Sequence, residues 1–161
     1  MTSNRPPEKP RGLLRFGFNL PIALYRVRLG WLLGHHFLLL THRGRKTGQL
    51  RRTVLEVVSY DARTRESAVM SAWGDRADWY RNIQASPAVE VQTGWSQYAP
   101  EVRLLGPEER YVALRTYERR YGRAFRAVMR YLGYQYDGTE ASLRALADVA
   151  LVVGFRPRAA S

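Results

Sequence analysis

The chain has 161 residues, a formal net charge of +12 at pH 7 and no cysteine. Its length favours one domain, and a hydrophobic share of 45% is enough for a sizeable core. The absence of cysteine excludes disulfides and cysteine–zinc sites, and the charge predicts a nucleic acid, an anionic membrane surface or a polyanionic small molecule as partner.

The N-terminal part divides into a tail and a helical stretch. Residues 1–11 are polar and proline-rich, which predicts a disordered tail. Residues 12–34 mix apolar residues with arginines and predict one or two short helices. Because the arginines interrupt the apolar runs, we expect neither a signal peptide nor a transmembrane span. A helix packed over a sheet is favoured, and a helix lying in a membrane interface is the alternative. We expect residues 12–158 to form a single domain.

The middle of the chain carries strand patterns separated by turn residues. Pro100 places the last of these strands at a sheet edge or a bulge. One short helix is predicted over Ala77–Ala85, and Ser86-Pro87 ends it. The predicted strands cover residues 37–41, 51–60, 67–73, 88–93 and 97–105.

The last third is mainly helical. Pro107 followed by two glutamates predicts a helix start, and Gly122 predicts its end. A second helix is expected over 123–132, and Thr139 caps a third that ends near residue 147. The apolar run 150–155 is a final strand. The elements predict an α+β protein with a five- or six-stranded, mostly antiparallel sheet, for which a small barrel is one arrangement.

A glycine-bracketed basic loop follows the first predicted strand. It reads Gly44-Arg45-Lys46-Thr47-Gly48, and no acidic residue falls between positions 43 and 52. Glycines let the backbone turn tightly, and basic side chains and exposed amides then face a ligand. The sequence therefore predicts an anion-binding loop. Its five basic residues are Arg43, Arg45, Lys46, Arg51 and Arg52.

A second unusual stretch, Trp73–Asn82, places two tryptophans, a tyrosine and an asparagine around a helix start. Helix starts favour anions and aromatic faces suit a flat ring. The alternative is structural: Trp79 packs in the core while Asp78 and Asn82 cap locally. No nucleophile elbow, phosphate-binding P-loop or dinucleotide motif is present. The three histidines have no acid near them in sequence, so we expect no metal site.

At this point the chain resembles a known family. The runs FLLLTHRGRKTGQLRRTVLEVV, VMSAWG and DWYRNIQASPAVEVQTG are similar to the deazaflavin-dependent nitroreductases, a branch of the split-β-barrel flavin and deazaflavin oxidoreductases that includes quinone reductases. The resemblance covers roughly residues 10–156. It implies a split β-barrel with N-terminal and C-terminal helices. It also implies coenzyme F420, in preference to FMN or FAD, and hydride transfer to a quinone, nitroaromatic or activated alkene.

The resemblance further implies which residues bind the cofactor. Arg45, Lys46 and Thr47 match the loop that grips its phosphate and acidic tail. The other matched positions flank the cofactor or complete its pocket; they are Arg51, Arg52, Thr53, Val54 and Leu55 on the second strand, Met70, Ser71, Ala72 and Trp73 at the ring edge, and Asp78, Trp79, Tyr80, Arg81 and Asn82 at the helix start.

The proposed reaction also needs a proton source, and a tyrosine of the loop 133–138, Tyr134 or Tyr136, is the candidate. Packing at the barrel mouth is the alternative role for either. The expected partner is a small-molecule acceptor and not a nucleic acid, with the protein a cytoplasmic monomer or homodimer. Peripheral membrane association through residues 12–34 is left open. The competing functions are a flavin- or tetrapyrrole-loaded binding module of the same fold and a basic protein that binds membrane surfaces or nucleic acid.

Overall fold

The computed structural model describes residues 33–159. The tail 1–11 and nearly all of the helical stretch 12–34 lie outside this range, so the single-domain prediction for 12–158 stays a prediction. Within residues 33–159, no helix is both long and apolar enough to cross a bilayer.

Eight short strands of the described chain form two antiparallel sheets of four strands. The first sheet has the order β2-β1-β5-β6, and the second has the order β3-β4-β8-β7. The strands of the first sheet are β1 (Phe37–Arg43), β2 (Leu50–Glu56), β5 (Glu90–Thr93) and β6 (Ser96–Tyr98). Those of the second are β3 (Ser59–Asp61), β4 (Glu66–Met70), β7 (Pro100–Leu104) and β8 (Val152–Pro157).

Four α-helices complete the described chain, close to their predicted positions. They are α1 (Asp78–Ala85), α2 (Pro107–Tyr121), α3 (Arg123–Tyr131) and α4 (Glu140–Val149). Thr139 caps α4 as predicted, since its hydroxyl accepts a hydrogen bond from the amide of Ser142 at 3.2 Å. At the start of α2, the Glu109 carboxylate accepts from the amide of Gly106 at 2.9 Å. The α+β class with antiparallel strands is confirmed.

Two predicted strands are each divided in two, which accounts for the larger number of strands. The predicted strand 51–60 crosses from the first sheet to the second. At the crossing, the amide of Val57 donates to His36 and that of Val58 donates to Ala68. The predicted strand 97–105 crosses in the same way between β6 and β7. Pro100 begins β7, which lies at a sheet edge as its missing N–H predicts.

The two sheets enclose one hydrophobic cluster, which we call the inter-sheet core. Alternate side chains of β1, β4, β5 and β8 point into it, as the two-residue period of a strand requires. Trp79 and Ile83 of α1 close one side. Its strand members include Leu38, Leu40, Val69, Val91, Val153 and Phe155.

A second cluster, the helical core, lies between the second sheet and the C-terminal helices. Leu114 of α2, Phe125 of α3 and Leu143 of α4 are buried in it, and Ala68 and Val152 supply the sheet side. Both β4 and β8 are buried on both faces, which explains the continuous apolar run at the start of β8. The basic loop between β1 and β2 lies beside α1, on the side of the inter-sheet core.

Candidate functional site

A pocket of about 210 Å³ lies between the β1–β2 loop and the first turns of α1. It brings the basic loop together with the helix start, two segments that lie about 30 residues apart in sequence. The lining residues are Gly44, Arg45, Lys46, Thr47, Arg51, Asp78 and Asn82.

Short backbone hydrogen bonds close the basic loop. The amide of Gly44 donates to Gln49 at 2.8 Å, and the amide of Gly48 donates back to Gly44 at 2.7 Å. Gly48 has φ of +69°, a conformation that side chains disfavour. A Cβ at Gly44 would lie 2.9 Å from Nε of Arg51, so that position keeps a close approach between the loop and β2. Gly48 is thus needed for the shape of the loop, whereas a side chain at Gly44 would have to displace the Arg51 side chain.

Arg45 connects this loop to α1. Its amide and its guanidinium both donate to Oδ1 of Asn82, at 3.1 and 3.0 Å. The guanidinium also pairs with the Asp78 carboxylate at 3.1 Å. Asp78 and Asn82 are four residues apart and therefore lie on the same face of α1. Arg45 consequently has protein partners on the pocket wall.

Lys46 and Arg51 differ from Arg45. Within residues 33–159, neither side chain makes a hydrogen bond or an ion pair, although both line the pocket. The backbone amides of Lys46 and Thr47 also have no hydrogen-bond partner in the described chain. The pocket therefore offers an ammonium, a guanidinium, two amides and the Thr47 hydroxyl to a ligand. This set of donors suits an anion with several oxygens, such as a phosphate.

Asn82 is connected to further buried polar side chains by a series of hydrogen bonds. Asn82 and His42 are 3% and 2% exposed, and Nδ2 of Asn82 lies 3.1 Å from Nδ1 of His42. Nε2 of His42 lies 3.0 Å from the hydroxyl of Thr53. Burial lowers the pKa of His42, and the nearby charge of Arg51 lowers it further, whereas a backbone hydrogen bond opposes them. His42 is therefore neutral at pH 7.

The other predicted residues of β2 divide between the two faces of the strand. Leu55 is buried in the inter-sheet core, and Thr53 contacts His42. Arg51 pairs with His42 across the sheet and lines the pocket. Because alternate residues point to opposite faces, Arg52 and Val54 extend to the other face, and neither lines the pocket.

The predicted ring-edge segment 70–73 lies outside this pocket and reaches both cores. Met70 and Ala72 pack against the helical core, whereas Trp73 packs against the inter-sheet core. Ser71 is fully buried and donates to the carbonyl of Gly74 at 2.7 Å. The indole N–H of Trp73 is buried and has no hydrogen-bond partner among residues 33–159. An unsatisfied buried donor of this kind is uncommon in folded proteins.

The aromatic residues of α1 have packing contacts. Trp79 is 8% exposed, and its ring centroid lies 6.2 Å from that of Phe155 and 5.9 Å from that of Tyr80. Tyr80 packs against the inter-sheet core, and Arg81 donates to the carbonyl of Asp75. These three residues do not line the pocket.

The two tyrosines of the loop 133–138 lie at the helical core. Tyr136 is buried, and its hydroxyl donates to the Glu118 carboxylate. Burial and this hydrogen bond raise the pKa of Tyr136 to about 12. Tyr134 is partly buried against the same core as Met70 and Ala72, and burial raises its pKa. Its hydroxyl has no hydrogen-bond partner in the described chain.

Sequence reasoning missed one residue of this region, His42. Gly44, which the sequence placed in the anion-binding loop, also lines the pocket. His42 continues the buried row of Leu38 and Leu40 at a two-residue spacing, which marks it as inward-facing. Among residues 33–159, no three His, Cys, Asp or Glu side chains are grouped so that they could hold a metal ion.

Comparisons with known proteins extend this description. The model of the F420H(2)-dependent quinone reductase family matches residues 25–140. A solved structure of an F420-H2 dependent reductase is similar over 75% of this chain and 94% of its own, with 22% identity and a TM-score of 0.50. A structure described as a domain-swapped dimer is similar over 84% of this chain and 99% of its own, with 19% identity and a TM-score of 0.51. These likenesses confirm the expected split-β-barrel fold. No curated protein matches significantly.

Proposed function

The chain belongs to the F420H(2)-dependent quinone reductase family, and from that premise we propose that it passes a hydride from reduced coenzyme F420 to a quinone. Dependence on F420 follows from the family and makes the protein an oxidoreductase. The quinone is the finer proposal, and nitroaromatics and activated alkenes are the competing acceptors.

The observation that carries the proposal is the set of donors at the pocket without protein partners. The side chains of Lys46 and Arg51 and the amides of Lys46 and Thr47 lack partners in the described chain, and these three residues line one concavity. The phosphodiester and acidic tail of the cofactor would supply the missing acceptors. About 210 Å³ is below the size of pockets that enclose whole ligands, about 300–1,000 Å³. We therefore assign this pocket to the phosphate part and not to the ring.

The ring would lie at the segment 70–73. Bound F420 supplies a two-electron carrier that donates hydride. Met70 and Ala72 would give it an apolar surface that excludes water, and the partnerless indole N–H of Trp73 offers a hydrogen bond to a polar edge. Arg45 would act by holding the loop against Asp78 and Asn82.

The protein's own role after hydride transfer is to deliver a proton to the reduced acceptor. Tyr134 is the better candidate because its hydroxyl is uncommitted in the described chain and it shares the helical core with Met70 and Ala72. Its raised pKa keeps the proton on the phenol at pH 7. The Tyr136 hydroxyl, by contrast, is committed to Glu118, so we assign it to packing.

The test has two stages with purified protein. Fluorescence titration with F420 should give a dissociation constant in the micromolar range or below. Stopped-flow oxidation of the reduced cofactor should then be at least about tenfold faster with menaquinone than with a nitroaromatic or an enoate, a difference of about 1.4 kcal/mol in barrier. The absence of binding at micromolar protein would overturn the cofactor assignment, and a faster nitroaromatic or enoate would overturn the quinone alone.

Two further expectations remain proposals. Membrane association would rest on residues 12–34, and liposome flotation with and without residues 1–34 tests it. The protein would be a monomer or a homodimer, which light scattering after gel filtration decides.

A further inference from the structure

We infer that His42, which does not line the pocket, is a positioning residue of the anion site. Through Asn82 it holds Arg45, and thereby the whole Gly44–Gly48 loop, in the form that leaves the Lys46 and Thr47 amides open. The inference deepens the proposed function and rests on it for the identity of the ligand.

The first step fixes the orientation of the Asn82 amide. One oxygen, Oδ1, accepts both the backbone N–H of Arg45 at 3.1 Å and its guanidinium N–H at 3.0 Å. Two donors require an acceptor between them, so this atom is the oxygen and the other terminal atom is the NH₂ group. Nδ2 of Asn82 is therefore the donor toward His42.

The second step fixes the tautomer of His42. Because Nδ2 of Asn82 donates at 3.1 Å, Nδ1 of His42 must be the unprotonated nitrogen. The proton of the neutral ring then sits on Nε2, which donates to the Thr53 hydroxyl at 3.0 Å. Protonation of Nδ1 would place two donors face to face in a site where both residues are at most 3% exposed.

The third step connects this geometry to the ligand. Arg45 is the only loop residue whose amide bonds to α1 in the described chain, and that bond ends on Asn82. If the Asn82 amide loses its partner on His42, it is free to rotate, and both bonds to Arg45 are weakened. The open amides of Lys46 and Thr47 follow directly after Arg45, so their direction depends on the same anchor.

The register of β1 and β2 explains why a histidine stands at this point. Leu38 and Leu40 on the same face of β1 are fully buried, and an apolar residue at position 42 would continue that row. A leucine would leave Nδ2 of Asn82 without a buried acceptor. His42 thus continues the core in shape and supplies one acceptor at its edge.

The test compares two substitutions. Asparagine at position 42 can place an amide oxygen near the location of Nδ1, whereas leucine has a similar volume and no acceptor. We expect His42→Leu to weaken F420 binding by about tenfold in a fluorescence titration and His42→Asn to stay within about threefold of wild type. The control is Arg103→Met, which breaks the ion pairs with Glu66 and Glu109 and lowers stability without touching this chain of hydrogen bonds. It should leave the affinity unchanged.

Two readouts keep the test decisive whatever the ligand. Long-range ¹H–¹⁵N spectra of the free wild-type protein at pH 7 should show neutral His42 with the proton on Nε2, and the other tautomer or an imidazolium would overturn the inference. If wild type does not bind F420, the proposed function fails. In that case, a titration with inorganic pyrophosphate, followed by the amide shifts of Lys46 and Thr47, replaces the F420 titration. Equal affinity of wild type and His42→Leu, for F420 or for pyrophosphate, would overturn the role of His42. If His42→Leu does not fold, His42→Val, which also lacks an acceptor, replaces it.

Discussion

Two basic regions of this protein differ in what their charges contact. Arg103 on β7 donates to both carboxylate oxygens of Glu66 at 2.7 Å and to both of Glu109 at 2.7 and 2.9 Å. Lys46 and Arg51 at the pocket make no ion pair within residues 33–159. Charges that a fold uses for stability are paired with one another. Unpaired cations that line a concavity indicate a site for an external anion.

The comparison also bears on the net charge of +12. A net charge describes the field around a protein but does not distinguish a structural arginine from a ligand-binding one. At Arg103, two hydrogen-bonded carboxylates neutralise the charge, and these bonds lower the pKa of Glu109 to about 2. At the pocket, Asp78 is the one lining carboxylate among residues 33–159, and it is paired with Arg45. Whether a cation is available to a ligand is therefore shown by its own ion pairs and not by the net charge of the protein.

Removing both unpaired cations should have the largest effect. We expect Lys46→Ala combined with Arg51→Ala to weaken F420 binding by about 2–4 kcal/mol, or about 30- to 1,000-fold, because each loses a charge-assisted contact to the ligand. Neither side chain has a partner in the described fold, so the free energy of unfolding should change by less than about 0.5 kcal/mol. Fluorescence titration and urea denaturation measure the two quantities.

The matched control for this pair is Arg52→Ala. Arg52 is adjacent to Arg51, carries the same charge and does not line the pocket. It should change the dissociation constant by less than about threefold, which corresponds to about 0.6 kcal/mol. Arg51→Ala alone is the single variant to compare with it. If Arg52→Ala weakens binding as much as Arg51→Ala does, long-range charge accounts for the affinity, and the division of β2 into two faces does not matter for binding.

Substitution of Arg103, whose charge is paired, should have the opposite result: a loss of stability with little change in F420 affinity. Arg103→Met leaves Glu66, which is 8% exposed, without its bidentate partner. Leaving a buried carboxylate unpaired costs about 3–5 kcal/mol, and because Arg103 itself is partly exposed we expect about 2–3 kcal/mol here. Urea denaturation should show this loss, while F420 affinity stays within about twofold of wild type.

Its control is Arg144→Met, which removes an exposed arginine from its pairs with Glu108 and Glu140 and should cost less than about 1 kcal/mol. If Arg103→Met changed affinity but not stability, the assignment of the two regions would be reversed.

Much of this architecture could be predicted from the sequence. A short apolar run located β1, alternation located β5, and Pro107, Gly122 and Thr139 marked helix ends, because these signals act within a few residues. The crossings at Val57 and before Pro100 were missed, since a strand that changes sheets keeps its β pattern while its hydrogen-bond partners change. Sheet membership depends on residues far away in sequence.

The candidate site shows the same limit. The loop and the helix start were recognised as a pair through the family resemblance, and the pocket joins six of the predicted residues. Trp79 is an aromatic residue of the kind that can bind a flat ring, but it packs on Phe155. The residue type alone cannot distinguish these two roles. The contact between His42 and Asn82 spans 40 residues, so no local pattern could have shown it.

The smallest expected effect is a difference between the two regions in how their contribution to stability depends on pH. The folded protein holds His42 neutral, since burial and Arg51 lower its pKa, whereas the unfolded chain takes up a proton near pH 6.5. The unfolded state therefore binds more protons below that pH, and the stability that comes from His42 is present above pH 6.5 and is lost as the pH falls.

For Glu109 the lowered pKa gives stability that is present above about pH 4.5 and is lost as the pH falls toward 2. Between pH 7 and 5.5, then, the region at His42 should weaken and the region at Glu109 should not. Urea denaturation of wild type and His42→Asn isolates this contribution, because position 42 does not titrate in the variant and the other groups cancel. We expect the stability of wild type relative to the variant to fall over this interval, by at most about 1 kcal/mol. A difference that stays constant with pH would show that His42 titrates alike in the folded and unfolded states. In that case the fold does not hold the His42 ring neutral beneath the loop.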